Sequence, residues 1–150
     1  MKQLNLPQFE FRLSEDKTAI FDTIRKKYIV LLPEEWVRQH FIHYMVKHLG
    51  YPISLIKVEF GIRYNQLPKR PDILSYDRNG NPLLLIECKS YDVNISKSVF
   101  TQVSVYNKVL KSPYVVVTNG LQHFCWHQHP DTGEVSFLDS IPEFQTLMNK

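Results

Sequence analysis

Two acidic residues stand where a predicted hairpin would bring them face to face. Asp72 precedes and Glu87 follows the dipeptide Asn79-Gly80, which is the strongest short-range signal for a β-hairpin. If Asn79 and Gly80 are the centre of the turn, Asp72 lies directly opposite Glu87, with Cβ atoms about 5 Å apart. Facing carboxylates are destabilising unless a cation neutralises them. An extra bulged residue in the turn would shift the register by one and move Asp72 off that face.

The residues around Glu87 indicate which cation and which chemistry. Strand alternation places Glu87 and Lys89 on one face and Cys88 on the other, where it is a core residue. Oxygen donors with no His or Cys nearby suit Mg²⁺ or Mn²⁺ better than Zn²⁺. A lysine two residues from a metal-binding carboxylate can orient a water and stabilise charge on a phosphate. The combination indicates metal-assisted hydrolysis of a phosphodiester.

The elements that must position these residues alternate between extended and helical patterns. Two helices are predicted, over residues 33–49 and 96–111. The predicted extended segments are residues 9–13, 18–21, 27–32, 56–64, 72–77, 82–89, 114–118 and 123–127. The strand–helix–strand order around the second helix implies a right-handed crossover to a parallel neighbour. The expected fold is therefore α/β, with a central mixed β-sheet flanked by α-helices.

The first helix carries charged residues on its apolar side. At about 100° per residue, Glu34 and Arg38 fall inside the apolar arc, and Glu35 lies at its edge. Such a pair is either a structural ion pair or part of a site, and both interpretations stay open. The predicted buried face comprises Val37, Phe41, Ile42, Tyr44, Met45, Val46 and Leu49, with Trp36, His40, His43 and Lys47 on the opposite side. The cluster Arg25-Lys26-Lys27 before this helix is predicted to be a solvated turn.

The second helix has a similar pattern with one polar exception. Its predicted buried face comprises Val99, Val103, Tyr106, Val109 and Leu110. Gln102 lies on this face as well. Its amide either points at a site or bonds backbone near a sheet edge.

Composition bounds the class of protein. The chain has 150 residues, of which 43% are hydrophobic and 22% charged, so we expect a single domain over residues 1–150. The net charge of +3 is too small to indicate nucleic-acid binding by itself. No apolar run is long enough to span a bilayer or form a signal peptide, which favours a cytoplasmic protein without membrane contact. Cys88 and Cys125 are expected to be free thiols.

Two other kinds of site are less well supported. The alternating residues His123, Cys125, His127 and His129 share one face of a strand, as a zinc site would require. Strand neighbours two apart are separated by roughly 6.6 Å, however, so we expect Phe124 and Trp126 to face the core and the histidines to be solvated. No GxSxG motif is present, and Cys88 is predicted to face inward, which leaves little support for a covalent hydrolase.

These residues together resemble the PD-(D/E)xK nuclease superfamily. Pro71-Asp72 is followed, after fourteen intervening residues, by Glu87-Cys88-Lys89 on an apolar strand. More narrowly, residues 20–128 resemble the amino-terminal nuclease domain of type I restriction enzyme R subunits and its small stand-alone relatives. The segments that carry this likeness are 33–38 (PEEWVR), 69–73 (KRPDI), 86–89 (IECK), 102–107 (QVSVYN) and 117–120 (VTNG).

The resemblance implies roles for individual residues. Asp72, Glu87 and the backbone carbonyl of Cys88 would bind Mg²⁺ or Mn²⁺, and Lys89 would position or activate the attacking water. The first helix supplies a further metal-binding carboxylate in that superfamily, which we assign to Glu34 because it shares the inward face with Arg38, with Glu35 as the alternative.

Further residues are implied around this centre. The QxxxY element of the family matches Gln102, as part of the catalytic set, and Tyr106, as a substrate contact. Arg38 and Arg70 are the other candidate substrate contacts, since arginines near the site could meet phosphate or pair with carboxylates. For Glu59 and Arg63, salt bridges are the favoured role.

The expected function is a Mg²⁺-dependent or Mn²⁺-dependent endonuclease that hydrolyses DNA in restriction or repair. The large restriction subunits carry a helicase motor, whereas this sequence contains no GxxxxGK[ST] phosphate loop. Two alternatives stay open: a nuclease subunit that depends on a helicase, translocase or specificity subunit on another chain, and a non-cleaving nucleic-acid-binding or assembly module. A homodimer would allow both DNA strands to be cut.

Overall fold

The computed structural model describes residues 1–58 and 71–150. The strands are β1 (Ala19–Asp22), β2 (Lys27–Val30), β3 (Ile56–Val58), β4 (Ile73–Tyr76), β5 (Pro82–Cys88), β6 (Tyr114–Thr118), β7 (His123–Gln128) and β8 (Val135–Leu138). The α-helices are α1 (Pro33–Lys47), α2 (Lys97–Leu110) and α3 (Phe144–Met148), and a short 3₁₀ helix covers Ile53–Leu55. Of the extended segment predicted over residues 56–64, only the first three residues lie within the described part of the chain.

The described residues form a six-stranded sheet in the order β3-β4-β5-β6-β7-β8, together with a separate β1–β2 hairpin. Strands β5 and β6 are parallel, and every other neighbouring pair in the large sheet is antiparallel. Helix α2 makes the connection between the two parallel strands. The predicted α/β fold with a mixed central sheet is therefore confirmed.

The two long helices pack on opposite faces of this sheet. Leu84, Ile86 and Cys88 belong to the core that includes α1, whereas Leu85 belongs to the core that includes α2. Strand β5 is buried from its second residue to its last, as its continuous apolar run predicts. The two faces of one strand are thus covered by two helices, and the candidate acidic residue Glu87 lies near the end of that strand.

The β4–β5 hairpin has the predicted register but a different turn. Tyr76 pairs with Pro82, and a register shift separates that pair from the neighbouring pair at Ser75. The Asp77 carboxylate closes the loop by accepting 2.9 Å hydrogen bonds from the backbone N–H groups of Asn79 and Asn81. The bulge compensates for the longer loop, so the pairing beyond it is the one that a two-residue turn would produce.

The amino-terminal region pairs differently from the prediction. Residues 9–13 do not form a strand opposite residues 18–21; a single bridge joins Leu13 to Ile20, and β1 pairs with β2. The Asp22 carboxylate accepts hydrogen bonds from the backbone N–H groups of Ile24 and Arg25, at 2.8 and 2.7 Å. This side-chain bonding stabilises the turn after β1 and so favours the β1–β2 hairpin.

Helix α1 is buried on its predicted face, where Val37 and Phe41 are 0% exposed, and also on part of the side predicted to lie opposite the core. Trp36 and His40 are 8% and 5% exposed. The Trp36 indole donates a 2.8 Å hydrogen bond to the carbonyl of Lys2, and the Phe9 ring stacks on His43 at a centroid distance of 4.0 Å. The prediction was wrong for Trp36 and His40 because the amino-terminal segment, which has no periodic pattern of its own, covers them.

The alternating His and Cys residues that resembled a zinc site lie on or next to β7, a strand that is packed into the core. Cys125 is 4% exposed and lies in the core with α1. The His123 ring bonds the Thr118 hydroxyl at 2.7 Å and the carbonyl of Asn5 at 2.8 Å, so the predicted solvation of the histidines is wrong for His123. Both cysteines are free thiols, as predicted. Within the described ranges, no helix has the length and apolar content needed to cross a membrane.

Candidate active site

The antiparallel pairing of β4 and β5 brings the two predicted carboxylates to the same end of the sheet. Ile73 pairs with Ile86, so Asp72 and Glu87 occupy the next positions outward. Both residues are buried, at 5% and 3% exposed. The predicted juxtaposition is therefore present, at the carboxyl end of β5.

Asp72 is held by two hydrogen bonds. Its Oδ2 accepts a 2.6 Å bond from the backbone N–H of Cys88, and its Oδ1 accepts a 3.1 Å bond from Nη2 of Arg38. Burial and the nearby charge of Glu87 raise the pKa of Asp72 to about 6, and the Arg38 guanidinium opposes this rise. The two carboxylates therefore form a site where added positive charge is favourable.

Lys89 supplies an ammonium group at the edge of this pair. Its Nζ lies 3.3 Å from Oε2 of Glu87, and its side chain is 26% exposed. Its backbone N–H donates a 2.8 Å hydrogen bond to the carbonyl of Thr118, which ties the end of β5 to the end of β6. Lys89 therefore contacts the buried carboxylate and is also reachable from solvent.

The loop after β6 organises this end of the sheet. The Asn119 side-chain oxygen accepts hydrogen bonds from the backbone N–H groups of Leu121 and Gln122, at 3.0 and 2.8 Å. Its amide donates a 2.8 Å bond to the carbonyl of Val93. One side chain thus links the β6–β7 loop to the segment that follows Lys89.

Arg38 joins helix α1 to the two-carboxylate site. Its side chain is 5% exposed and lies between three acidic groups. Nη1 contacts Oε1 of Glu35 at 2.5 Å, while Nη2 lies 3.1 Å from Asp72 and 3.7 Å from Glu34. The predicted inward position of Arg38 is confirmed, and of the two interpretations left open for the Glu34–Arg38 pair, the structure shows an ion pair that also reaches the site.

The positions of Glu34 and Glu35 are the reverse of the prediction. The Glu34 side chain is 47% exposed, whereas that of Glu35 is 6% exposed. Oε2 of Glu35 accepts hydrogen bonds from Arg25 and Gln39, each at 2.8 Å. The helical projection was wrong here because the turn after β1 covers the first turn of α1 on the side where Glu35 lies.

On helix α2, the predicted face is partly wrong. Gln102 is exposed rather than turned toward the sheet, and Val109 is 48% exposed. The buried residues of α2 are Val103, Asn107 and Leu110. Asn107 is the buried polar residue of this helix, because its side chain bonds the backbone N–H and C=O of Ser112 just beyond the helix end. Tyr106 packs against the core on this face of the sheet, as predicted.

Three residues that contribute to the surroundings of the site were missed by the sequence analysis, namely Asp22, Arg25 and Gln39. Arg25, predicted to be solvated, has a side chain only 10% exposed and bonds both Asp22 and Glu35. Gln39 donates 2.8 Å hydrogen bonds to Asp22 and to Glu35. The spacing of Asp22 and Arg25 is compatible with an ion pair across a turn, but no sequence signal connects that turn to Glu35.

The donor set available for a metal consists of oxygen atoms. Among residues 1–58 and 71–150, no three His, Cys, Asp or Glu side chains form a metal-sized group. The paired carboxylates of Asp72 and Glu87, with the backbone carbonyl of Cys88, nevertheless fit a hard cation such as Mg²⁺ in chemistry and charge. The candidate substrate contact Arg70, together with Glu59 and Arg63, lies outside the described residues.

Comparison with known proteins places the chain in a family. The family model described as the type I restriction enzyme R protein N terminus matches residues 33–142. A solved structure described as a fragment of an HsdR subunit of a type I restriction enzyme from Vibrio vulnificus YJ016 is similar in fold, with a TM-score of 0.52 and 20% sequence identity. The match covers 79% of this chain and 26% of that one. No curated protein matches.

The matched residues include the whole of α1, the whole β4–β5 hairpin with Asp72 and Glu87, and helix α2. The match extends over more than two thirds of the chain, and the similar HsdR fragment shares its fold. The chain therefore belongs to the family of the type I restriction enzyme R protein N terminus.

Proposed function

We propose that this chain is a divalent-metal-dependent endonuclease domain that hydrolyses phosphodiester bonds of DNA in restriction. The observation that carries the proposal is the burial of Asp72 beside Glu87, with the Lys89 ammonium 3.3 Å from the Glu87 carboxylate. Two buried carboxylates next to a solvent-accessible lysine suit hydrolysis of a phosphate ester. Membership in a restriction enzyme family supports the same reaction class.

Asp72, Glu87 and the backbone carbonyl of Cys88 are the proposed ligands of Mg²⁺ or Mn²⁺. When bound, the ion would neutralise charge on the phosphate and lower the pKa of water. The Cys88 N–H holds one oxygen of Asp72 and thereby fixes the direction of the carboxylate. We keep Glu34 as the further helix carboxylate, because the oxygens of Glu35 already accept bonds from two arginines and an amide.

Lys89 is the proposed residue that handles the attacking water. Its ammonium is anchored by Glu87 on one side and exposed on the other, so it can donate a hydrogen bond to a water or to a phosphate oxygen. A fixed ammonium at this position would stabilise the negative charge that develops on the phosphate in the transition state.

The remaining candidates are assigned by their exposure. Gln102 is exposed, so its amide is placed to hydrogen-bond a bound substrate rather than the buried carboxylates. Tyr106 lies one turn further along the same helix, but it packs against the core and its hydroxyl oxygen is buried, which disfavours the predicted contact with substrate. Arg38 is bound to carboxylates and buried, which disfavours direct contact with DNA. Arg70 stays a predicted substrate contact.

The test is cleavage of supercoiled and single-stranded DNA by the purified chain in Mg²⁺ or Mn²⁺. Lys89→Ala, purified identically, should lose cleavage while keeping its fold, and Lys57→Ala is a matched control because Lys57 is an exposed lysine on β3. Equal cleavage by Lys89→Ala would contradict the proposal. Absence of cleavage by the wild-type chain would favour a subunit that requires a motor or specificity partner, or a non-cleaving DNA-binding module.

A further inference from the structure

We propose that Arg25, in the amino-terminal hairpin, is a positioning residue for Asp72 and acts through a buried chain of ion pairs. This inference rests on the proposed function, since it assigns Asp72 to the reacting centre. The chain of ion pairs comprises Asp22, Arg25, Glu35, Arg38 and Asp72, with alternating negative and positive charge, and is called the ion chain below.

The ion chain begins at the turn after β1. Asp22 is fully buried, and its Oδ2 accepts a 2.8 Å hydrogen bond from Nε of Arg25. Its Oδ1 accepts bonds from the backbone of the same turn. Because the turn backbone and the guanidinium share one carboxylate, the direction of the Arg25 side chain is set by the hairpin.

The middle of the ion chain connects this hairpin to helix α1. Nη2 of Arg25 donates a 2.8 Å bond to Oε2 of Glu35, and the other oxygen of Glu35 contacts Arg38. Gln39 donates to both Asp22 and Glu35, which closes a ring of hydrogen bonds between the hairpin and the helix. Glu35 therefore cannot rotate without breaking bonds at both of its oxygens.

The last link reaches the site. Arg38 bonds Glu35 through Nη1 and Asp72 through Nη2, so the position of its guanidinium is determined by both carboxylates. Loss of Arg25 would leave Glu35 under-neutralised, and the Arg38 guanidinium would move toward Glu35 and away from Asp72. Electrostatic interactions between buried charges are strong because little solvent screens them. The movement of the Arg38 guanidinium would therefore change the position of Asp72.

The location of Arg25 makes the inference specific. Asp22 and Arg25 precede residue 33, where the family match begins. The hairpin thus lies outside the matched region and still contacts helix α1, whose Arg38 bonds Asp72. A misplacement of a reacting group by about 1 Å can cost about a hundredfold in rate, so a remote positioning residue can have a large effect.

The first test compares Arg25→Met with Lys26→Met, which removes the same charge from the adjacent exposed residue. We expect Arg25→Met to lower kcat by at least about tenfold with KM for DNA unchanged, and Lys26→Met to change neither. Glu35→Gln should lower kcat similarly, and the double variant Arg25→Met/Glu35→Gln should be no slower than the slower single variant. If the two losses in kcat multiply in the double variant, Arg25 and Glu35 act independently, and the proposed ion chain is wrong.

A second measurement does not depend on cleavage. The ¹³Cγ resonance of Asp72 in the metal-free protein should shift in Arg25→Met and stay in place in Lys26→Met. If the wild-type chain does not cleave DNA, the proposed function fails while this measurement still decides the ion chain. An unchanged Asp72 resonance in folded Arg25→Met would overturn it. If Arg25→Met does not fold, Arg25→Lys replaces it, because one ammonium cannot bridge Asp22 and Glu35 as the guanidinium fork does.

Discussion

The backbone N–H of Cys88 donates a 2.6 Å hydrogen bond to Oδ2 of Asp72, although the two residues lie sixteen positions apart. This bond joins the residue before β4 to the last residue of β5. It fixes one oxygen of the candidate metal ligand to the strand that carries Glu87 and leads into Lys89. The geometry of the site is therefore part of the sheet itself.

Removal of the Asp72 charge should abolish metal binding. In the wild-type protein, millimolar Mn²⁺ should raise the melting temperature, because an ion that binds only the folded state stabilises it by about 2.7 kcal/mol at one hundred times its Kd. Asp72→Asn should eliminate this rise, as followed by thermal unfolding with and without Mn²⁺. Asp139→Asn, which changes an exposed aspartate, should leave the rise intact. A persistent rise in Asp72→Asn would place the ion elsewhere.

The raised pKa of Asp72 should make metal binding depend on pH. A metal ligand must be deprotonated, so protons compete with the ion below the pKa of about 6. The apparent affinity for Mn²⁺ should be constant above pH 7 and fall by about tenfold per pH unit below pH 5 if one proton is displaced. Titration with Mn²⁺ across this range measures the effect. An affinity that is flat between pH 7 and pH 4.5 would contradict it.

Glu87→Gln should lower the pKa of Asp72. Burial is the largest cause of the raised value and would remain, but the repulsion from Glu87 would be removed while Arg38 stays in place. The pKa should therefore move from about 6 toward the ordinary value of 3.8, as measured by ¹³C NMR of the Asp72 carboxyl in metal-free protein. Glu10→Gln, at an exposed position, should leave it unchanged.

The raised pKa of Asp72 in the wild-type protein also predicts how the stability of the metal-free protein changes with pH. The folded-state pKa of Asp72 is raised, so the folded protein binds the proton more tightly than the unfolded chain does. The contribution of Asp72 to the free energy of unfolding is fully present below about pH 3.8 and is lost as pH rises through about 6. Urea unfolding of wild type and Glu87→Gln between pH 4 and pH 7 should show a smaller loss in the variant.

Arg38→Met should destabilise the fold strongly. The substitution leaves the buried carboxylates of Glu35 and Asp72 without their shared cation, and breaking a buried ion pair in this way typically costs about 3–5 kcal/mol. Urea unfolding at pH 7 measures the loss. Lys47→Met, on the exposed last turn of the same helix, should cost less than about 1 kcal/mol. Equal losses in the two variants would show that the buried contacts of Arg38 do not stabilise the protein.

A pair of glycines tests the packing of the amino-terminal segment. Gly120 and Gly133 both have positive φ, at 86° and 76°, so each alanine substitution carries a similar backbone cost. A Cβ at Gly120 would meet the Leu4 and Val37 side chains at 2.9 and 3.1 Å, whereas at Gly133 it would meet only the flexible Lys108 side chain. Gly120→Ala should therefore lower the melting temperature more than Gly133→Ala. The opposite order would show that Leu4 is not held in the core.

The features that the sequence determined are those that depend on neighbours in the chain or on strand pairing. The hairpin signal and strand alternation were sufficient to bring Asp72 beside Glu87 and to put Cys88 in the core, because the bulge near Ser75 restored the predicted register. The apolar run of β5 and the crossover through α2 were sufficient for the mixed sheet. These properties follow from backbone periodicity and local turns, which act over short distances along the chain.

Tertiary structure alone decided which of the two glutamates of α1 is buried. Whether Glu34 or Glu35 turns inward depends on the hairpin that packs against the first turn of α1, and that packing joins Arg25 to a residue ten positions away. Trp36 is buried for the same reason, by a segment with no periodic pattern of its own. A helical projection reports one face of an isolated helix, and it cannot report a second face that a distant part of the chain covers.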